Sequence, residues 1–114
     1  DGDTVELFNG TVLRYVGITA PEEGEDFAEE ATKLNQELVE SKEIKLEYDN
    51  YTSDKFGRIL AYPIVNGVNV CIELVRKGMA ELVIYQKRKP FIYQVQLLEA
   101  QEQAKKNKLG IWKN

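Results

Sequence analysis

Asn9-Gly10, set between the runs Asp3–Phe8 and Thr11–Ile18, constrains the fold of this chain more than any other feature. Both central residues of a tight type I′ turn need positive φ, and Asn-Gly supplies them at low cost. The flanking runs are rich in Val, Thr, Leu and Tyr, which suit a pleated strand. The spacing predicts a β-hairpin with a two-residue loop. That register sets Phe8 opposite Thr11, Val5 opposite Arg14 and Asp3 opposite Val16. Side chains alternate across a strand, so Asp3, Val5, Leu7, Val12, Arg14 and Val16 would share one face. Asp3 and Arg14 are its only charges, diagonal neighbours about 7–8 Å apart. A carboxylate and a guanidinium on a core-side face must pair or line a cleft. Two readings stay open from this face alone: a structural ion pair at the mouth of a barrel, or part of a functional site.

Pro21 ends the second run and holds the preceding residue extended. Glu22 is thereby expected in a loop at the end of the strand that carries Arg14. The 114 residues are enough for one domain, 1–114, with a single core. A hydrophobic share of 43% and a charged share of 30% fit a soluble globular chain. No apolar run approaches membrane-spanning length, so no membrane partner is expected. The chain starts at Asp1 without a signal peptide, which suggests processing or trimming. A single cysteine, Cys71, excludes an internal disulfide and reads as a buried, inert thiol. The absence of histidine excludes imidazole acid–base chemistry and most zinc sites, leaving Asp, Glu, Arg, Lys and Tyr. A net charge of −4 argues against strong non-specific nucleic-acid binding, though not against a locally positive cleft.

Along the chain, Phe27, Ala31, Leu34 and Leu38 give a one-face helical pattern from Asp26 to about Glu40, with Asp26 and Glu29 resembling a capping arrangement. Strands are expected at Glu43–Asp49 and Arg58–Val65, with Asn66-Gly67 as a second hairpin signal. Pro63 suggests an edge or a bulge. Val70–Lys77 reads as a short helix stopped by Gly78. A last short strand is expected at Glu81–Tyr85 and an amphipathic helix from Tyr93 to about Asn107, with Trp112 anchoring the tail. Short strands, two hairpins and then helices suggest an α+β fold, a partly open barrel flanked by helices.

Five stretches carry a resemblance. They are Asp1-Gly2-Asp3-Thr4; Arg14-Tyr15-Val16-Gly17-Ile18-Thr19-Ala20-Pro21-Glu22; Asp54-Lys55-Phe56-Gly57-Arg58; Leu74-Val75-Arg76-Lys77-Gly78; and Ala104-Lys105-Lys106-Asn107-Lys108-Leu109-Gly110-Ile111-Trp112. In this order they resemble the signatures of the staphylococcal nuclease (thermonuclease) family. The resemblance implies an OB-type five-stranded barrel with about three helices, its first strand shortened here, and a fold that commonly binds single-stranded nucleic acid. It also implies a monomer, a secreted or extracytoplasmic location, and calcium-assisted cleavage of single-stranded DNA or RNA.

Carried over position by position, the resemblance makes Asp3 the first calcium ligand, Glu22 the base on water, and Arg14 and Arg58 the phosphate clamps. Arginine suits that role because its planar fork gives two parallel bonds to phosphate oxygens. The second metal-ligating aspartate of the family corresponds to Thr19, which removes one formal charge from a hard-oxygen site. Ala20 would contribute its carbonyl. Phe56 stands where the family often has tyrosine, so a phosphate-binding hydroxyl is lost. Tyr85 falls between two positions where the family carries stacking tyrosines. Lys55 and Lys87 fit backbone-phosphate contacts or plain solvated charges equally well. Two readings follow: a nuclease weakened by Thr19, or a module that binds nucleic acid or protein without cleaving.

Overall fold

Strands β1 (Thr4–Glu6) and β2 (Val12–Tyr15) form the expected hairpin, but one residue out of the expected register. Thr4 lies opposite Arg14, Val5 opposite Leu13 and Glu6 opposite Val12. The Gly10 N–H donates to the Leu7 carbonyl at 2.9 Å and the Leu7 N–H to the Thr11 carbonyl at 2.8 Å. Only Gly10 of the Asn-Gly pair has positive φ, at 84°. This is a three-residue connection closed by a left-handed glycine bulge, in place of a type I′ turn. A one-residue slip turns every side chain to the other face. Leu13 and Tyr15 are therefore buried, while Arg14 and Thr4 share the opposite side. The single charged face expected from the sequence does not form.

The computed structural model describes residues 1–84 and 89–114. After β3 (Ile18–Thr19) comes α1 (Ala28–Val39), a turn shorter than the sequence pattern suggested. Phe27 caps it in a left-handed conformation with no side-chain cap bond, so the expected Asp26–Glu29 capping arrangement is absent. Glu29 and Glu30 offset the helix dipole from the first turn. Asn35 fastens α1 to the hairpin. It accepts from the Tyr15 hydroxyl at 2.6 Å and donates to the Thr4 carbonyl at 3.0 Å and the Asp1 carbonyl at 3.2 Å.

The centre of the sheet is β5 (Ile59–Val65). It pairs in parallel with β2, Arg14 opposite Leu60, and antiparallel with β4 (Lys45–Glu47) and β6 (Val68–Asn69). Pro63 thus sits in a central strand rather than at an edge. It lies opposite Leu46 of β4, and on the other edge of β5 it falls in the gap between Ala61, the last residue paired to β2, and Ile64, the first paired to β6. Asn66 and Gly67, with φ of 51° and 78°, make the type I′ turn that closes Val65 on Val68.

The chain continues into α2 (Val70–Arg76), capped by the Asn69 side chain, then β7 (Glu81–Leu82), α3 (Gln94–Lys106) and a 3-10 turn over Gly110–Trp112. β7 pairs with β3 as a separate ribbon, with Ile18 opposite Leu82 and Thr19 opposite Glu81. The architecture is the expected α+β, OB-like arrangement with three helices. Its sheet runs β1-β2-β5-β4 with β6 on β5 and, among the described residues, does not close into a barrel. A groove of about 870 Å³ separates the β1 and β4 edges, floored by Val5, Leu7, Val39 and Leu46. One apolar core joins Leu13, Tyr15, Ile18, Tyr62, Leu74 and Leu97 across sheet and helices. Cys71 is fully buried in it, and burial pushes its thiol well above the usual range. Lys105 covers the Trp112 ring at 4.8 Å, which seats the tail against α3 as expected. No described helix is long and apolar enough to cross a membrane.

Candidate active site

Asp3 stands one residue ahead of β1 and is 8% exposed. Its Oδ1 accepts from the Thr4 hydroxyl at 3.0 Å and its Oδ2 from the Ala20 N–H at 2.9 Å. The same Oδ2 lies 3.4 Å from Arg14 Nη2. Arg14 in turn donates through Nη1 to the Tyr15 carbonyl at 2.6 Å. One buried carboxylate therefore ties the start of the hairpin to the exit of β3, and holds a guanidinium beside it. Asp3, Arg14 and Ala20 are brought together by an ion pair and a hydrogen bond rather than by the expected sheet register.

Thr19 and Ala20 continue into Pro21 and Glu22 along the wall of a depression of about 590 Å³. Glu25, Asp26 and Glu81 line the same depression, and Lys113 stands on its wall. Glu22 is exposed, and its loop is fixed through the main chain. The Glu22 N–H donates to Glu25 Oε1 at 2.6 Å and the Glu25 N–H returns to the Glu22 carbonyl at 2.9 Å. The base position of the resembled motif is thus presented to solvent at the rim, two residues from the Ala20 that contacts Asp3.

Arg58 is two residues before Leu60, which lies opposite Arg14. Arg58 stands one residue ahead of β5, and continuing the alternation of that strand back to it would put it on the Arg14 side of the sheet. The Arg58 Nε is held by Asp54 Oδ2 at 2.6 Å, while Asp54 Oδ1 accepts the N–H groups of Phe56 and Arg58, each at 2.9 Å. Desolvation opposes ionisation of Asp54. The N–H and guanidinium of Arg58 and the N–H of Phe56 outweigh it, so the carboxyl sits below its usual range. Lys55 is exposed on the same turn, its Nζ 5.3 Å from the Phe56 ring centroid. Tyr85 and Lys87, the other two expected substrate contacts, lie outside the described residues.

Sequence reasoning missed two carboxylates, one that positions Arg58 and one that fastens the fold. Asp54 builds the turn that carries Lys55, Phe56 and Arg58. Its signal was an Asx-type turn residue three before a glycine. Asp49 is buried and accepts the Tyr62 hydroxyl at 2.7 Å and the Ile92 N–H at 2.9 Å, pinning the approach to α3 against the sheet. No local pattern marks a contact between residues so far apart in the chain.

A family model described as staphylococcal nuclease homologue matches residues 12–114. The chain belongs to that family. Among curated relatives, endonuclease YncB of Bacillus subtilis (strain 168) is 37% identical over 98% of this chain and 57% of its own length. The SPbeta prophage-derived endonuclease YokF of the same organism is also 37% identical, over 98% of this chain and 41% of its own. A thermonuclease of Staphylococcus hyicus is 30% identical over 100% of this chain and 72% of its own. The chain spans about half the length of the two Bacillus relatives.

Family membership raises the question of a metal. Asp3 carboxylate, Thr19 hydroxyl and Ala20 carbonyl are all hard oxygens, the kind calcium takes. The Asp3–Ala20 hydrogen bond brings the carboxylate to the strand exit that carries the other two. The set fits calcium in kind, but it offers one formal charge, which Arg14 already draws on. Among the described residues no group of three acidic, histidine or cysteine side chains converges as a metal cluster.

Proposed function

We propose that this chain hydrolyses phosphodiester bonds of DNA or RNA with calcium assistance, at a rate reduced by Thr19. The observation that carries the reading is the Asp3–Arg14–Ala20 cluster, with Arg58 one residue ahead of β5 and Glu22 on the adjoining rim, in a member of the staphylococcal nuclease homologue family. Relatives named as endonucleases and a thermonuclease support it.

A phosphodiester carries negative charge that grows as it is attacked, so the site must supply fixed positive charge and a positioned water. Arg14 and Arg58 supply the charge. Asp54 occupies only Nε of Arg58, and among the described residues no carboxylate pairs with its terminal nitrogens, which leaves them to serve a phosphate as a two-pronged donor. The Glu22 carboxylate takes a proton from the attacking water. The water oxygen then bonds to phosphorus, and the ester P–O bond breaks with its electron pair going to the leaving oxygen, which takes a proton from solvent. Asp3, Thr19 and the Ala20 carbonyl would hold calcium, which would supply further positive charge to the phosphate when bound.

A second reading, a binding module without chemistry, is favoured by one observation: the single carboxylate of the metal site is shared with Arg14. Incubating the pure chain with single-stranded DNA, with calcium and with chelator, separates the two. Calcium-dependent product is expected, and Glu22→Gln should reduce it by about 10²–10⁴-fold, the range for loss of a general base. No calcium-dependent product even at high protein concentration would sink the nuclease reading.

A further inference from the structure

We propose that Lys77, Lys105, Lys108 and Lys113, gathered where the ends of α2 and α3 meet, form a docking surface for nucleic-acid phosphates outside the site. The inference takes its substrate class from the proposed function and adds where the strand runs once it leaves the reacting phosphate.

A backbone crossing brings the four lysines together. Gly78 follows α2 and Gly110 opens the 3-10 turn, and the Ile111 N–H donates to the Gly78 carbonyl at 2.9 Å. A Cβ on Gly110 would collide with the Gly78 carbonyl, and one on Gly78 with the Leu109 carbonyl. Both residues also have positive φ, 76° at Gly78 and 51° at Gly110. Only a pair of glycines can pass this closely. Lys77 precedes the first and Lys108 stands two residues before the second. Lys105 lies over the Trp112 ring, and Lys113 ends the turn with its N–H on the Gly110 carbonyl at 3.1 Å. The charges therefore sit on a fixed frame.

All four side chains are exposed. Among the described residues Lys77, Lys108 and Lys113 have no ion pair, and Lys105 reaches Glu102 only at 3.8 Å. Residues 104–114 hold four lysines and no acid, in a chain whose net charge is −4. Helix dipoles explain part of this, since a cation in the last turn, such as Lys105, meets the partial negative charge of the helix end. That explanation stops at Asn107, the C-cap of α3. Lys108 lies beyond it at a φ of 53°, and Lys113 lies five residues further on. Like charges held near one another repel, and a polyanion relieves the repulsion.

The position of Lys113 favours the substrate as that polyanion. It stands on the wall of the depression that holds Thr19, Ala20 and Glu22, among the acids Glu25, Asp26 and Glu81. The patch thus begins at the rim of the proposed site. A strand leaving over this rim meets Lys113 amid those acids and then the other three lysines. Lysine binds phosphate as a point charge and reads no base. Binding here should be independent of sequence and dependent on salt.

The test is binding without turnover. Labelled single-stranded oligonucleotides, long enough to run from the site across the patch, are titrated in chelator at several salt concentrations. The wild type is compared with the triple variant Lys77→Gln, Lys108→Gln, Lys113→Gln and with the same three positions changed to arginine. A control triple, Lys33→Gln, Lys42→Gln, Lys45→Gln, makes the same change in net charge on α1, the loop after it and β4. Lys105 is left in place because it seats Trp112. Thermal unfolding checks that each variant folds. The patch triple should lower the slope of log affinity against log salt by about 2, from three lysines at about 0.7 each on a single strand, whatever the sequence. The arginine and control triples should keep the wild-type slope. An unchanged slope in the patch triple, an equal drop in the control or arginine triple, or a wild type that binds no oligonucleotide would overturn the inference. If the slope holds and the patch triple instead loses binding to anionic phospholipid vesicles, the surface serves a membrane and the inference fails. A chain that binds through these lysines and cleaves nothing with calcium would sink the nuclease reading and leave this one standing.

Discussion

Thr19→Asp tests the proposed metal site where its chemistry is weakest. Thr19 lies opposite Glu81 in the β3–β7 ribbon and shares its depression with Glu22, Glu25 and Asp26. Without a cation, a new carboxylate there meets a like charge directly across the strand pair, a cost of up to about 1 kcal/mol. For a chain of this size that lowers the melting temperature by about 4 °C in chelator. With a cation, the sign reverses. A unit charge 4 Å from a divalent ion in a water-like surrounding gains about 2 kcal/mol, twice the value for a monovalent pair. The substitution should therefore tighten calcium binding by about thirtyfold, and calcium should more than restore the lost thermal stability. Calorimetric titration gives the affinity, and melting in chelator and in calcium gives the crossover. A variant whose calcium affinity stays within twofold of the wild type would refute the placement of the metal at Asp3, position 19 and Ala20.

Asp49→Ala should destabilise the fold by about 2 kcal/mol in urea unfolding, chiefly because it strands the fully buried Tyr62 hydroxyl. Asp49→Asn, which keeps a carbonyl acceptor, should lose less; a loss below about 0.5 kcal/mol for alanine would show the bond to be incidental. Three tyrosines give an alkaline limit. The hydrogen bond to Glu47, with burial behind it, holds the Tyr93 hydroxyl up at about 12, and burial first of all holds Tyr62 and Tyr15 higher still, against an ordinary value of 10.0. The native state keeps protons that the unfolded chain releases, so this stability is full below pH 10.0 and falls as pH rises through about 12. Melting temperature should drop over that window, and Tyr93→Phe should flatten the first part of the drop; an unchanged slope would place the linkage elsewhere.

The two Asn-Gly pairs show what the sequence could and could not decide. Asn66-Gly67 makes the type I′ turn its residues favour, because Val65 and Val68 then meet in register beside β5. Asn9-Gly10 has the same local preference and does not follow it. The two-residue loop would have turned Arg14 and Val12 toward the core and Leu13 and Tyr15 away from it. Burying those two large side chains outweighs the turn preference, and parallel pairing to β5 fixes the outcome. Local chemistry located the turn, and tertiary burial set its register. Asp3, Arg14 and Ala20 lie within a short span of chain that the ordered motifs already marked, and the structure joins them by an ion pair and a hydrogen bond. The Asp49–Tyr62–Ile92 contacts carried no such mark, because they exist only once β4, β5 and the approach to α3 are assembled.

The same geometry decides which residue best reports on chemistry. Asp3 is buried and its carboxylate accepts a hydroxyl, a main-chain N–H and the approach of a guanidinium. It would be needed to join the hairpin to β3 in a chain that never met a cation, so its removal confounds folding with function. Arg14 is entangled in the same way through the Tyr15 carbonyl. Glu22 differs. Its loop is held by its main chain, and among the described residues its own carboxylate makes no hydrogen bond or ion pair. An exposed carboxylate with no structural duty, unlike the Asp3 carboxylate and the Arg14 guanidinium, is the position where a change in rate can be read as a change in mechanism.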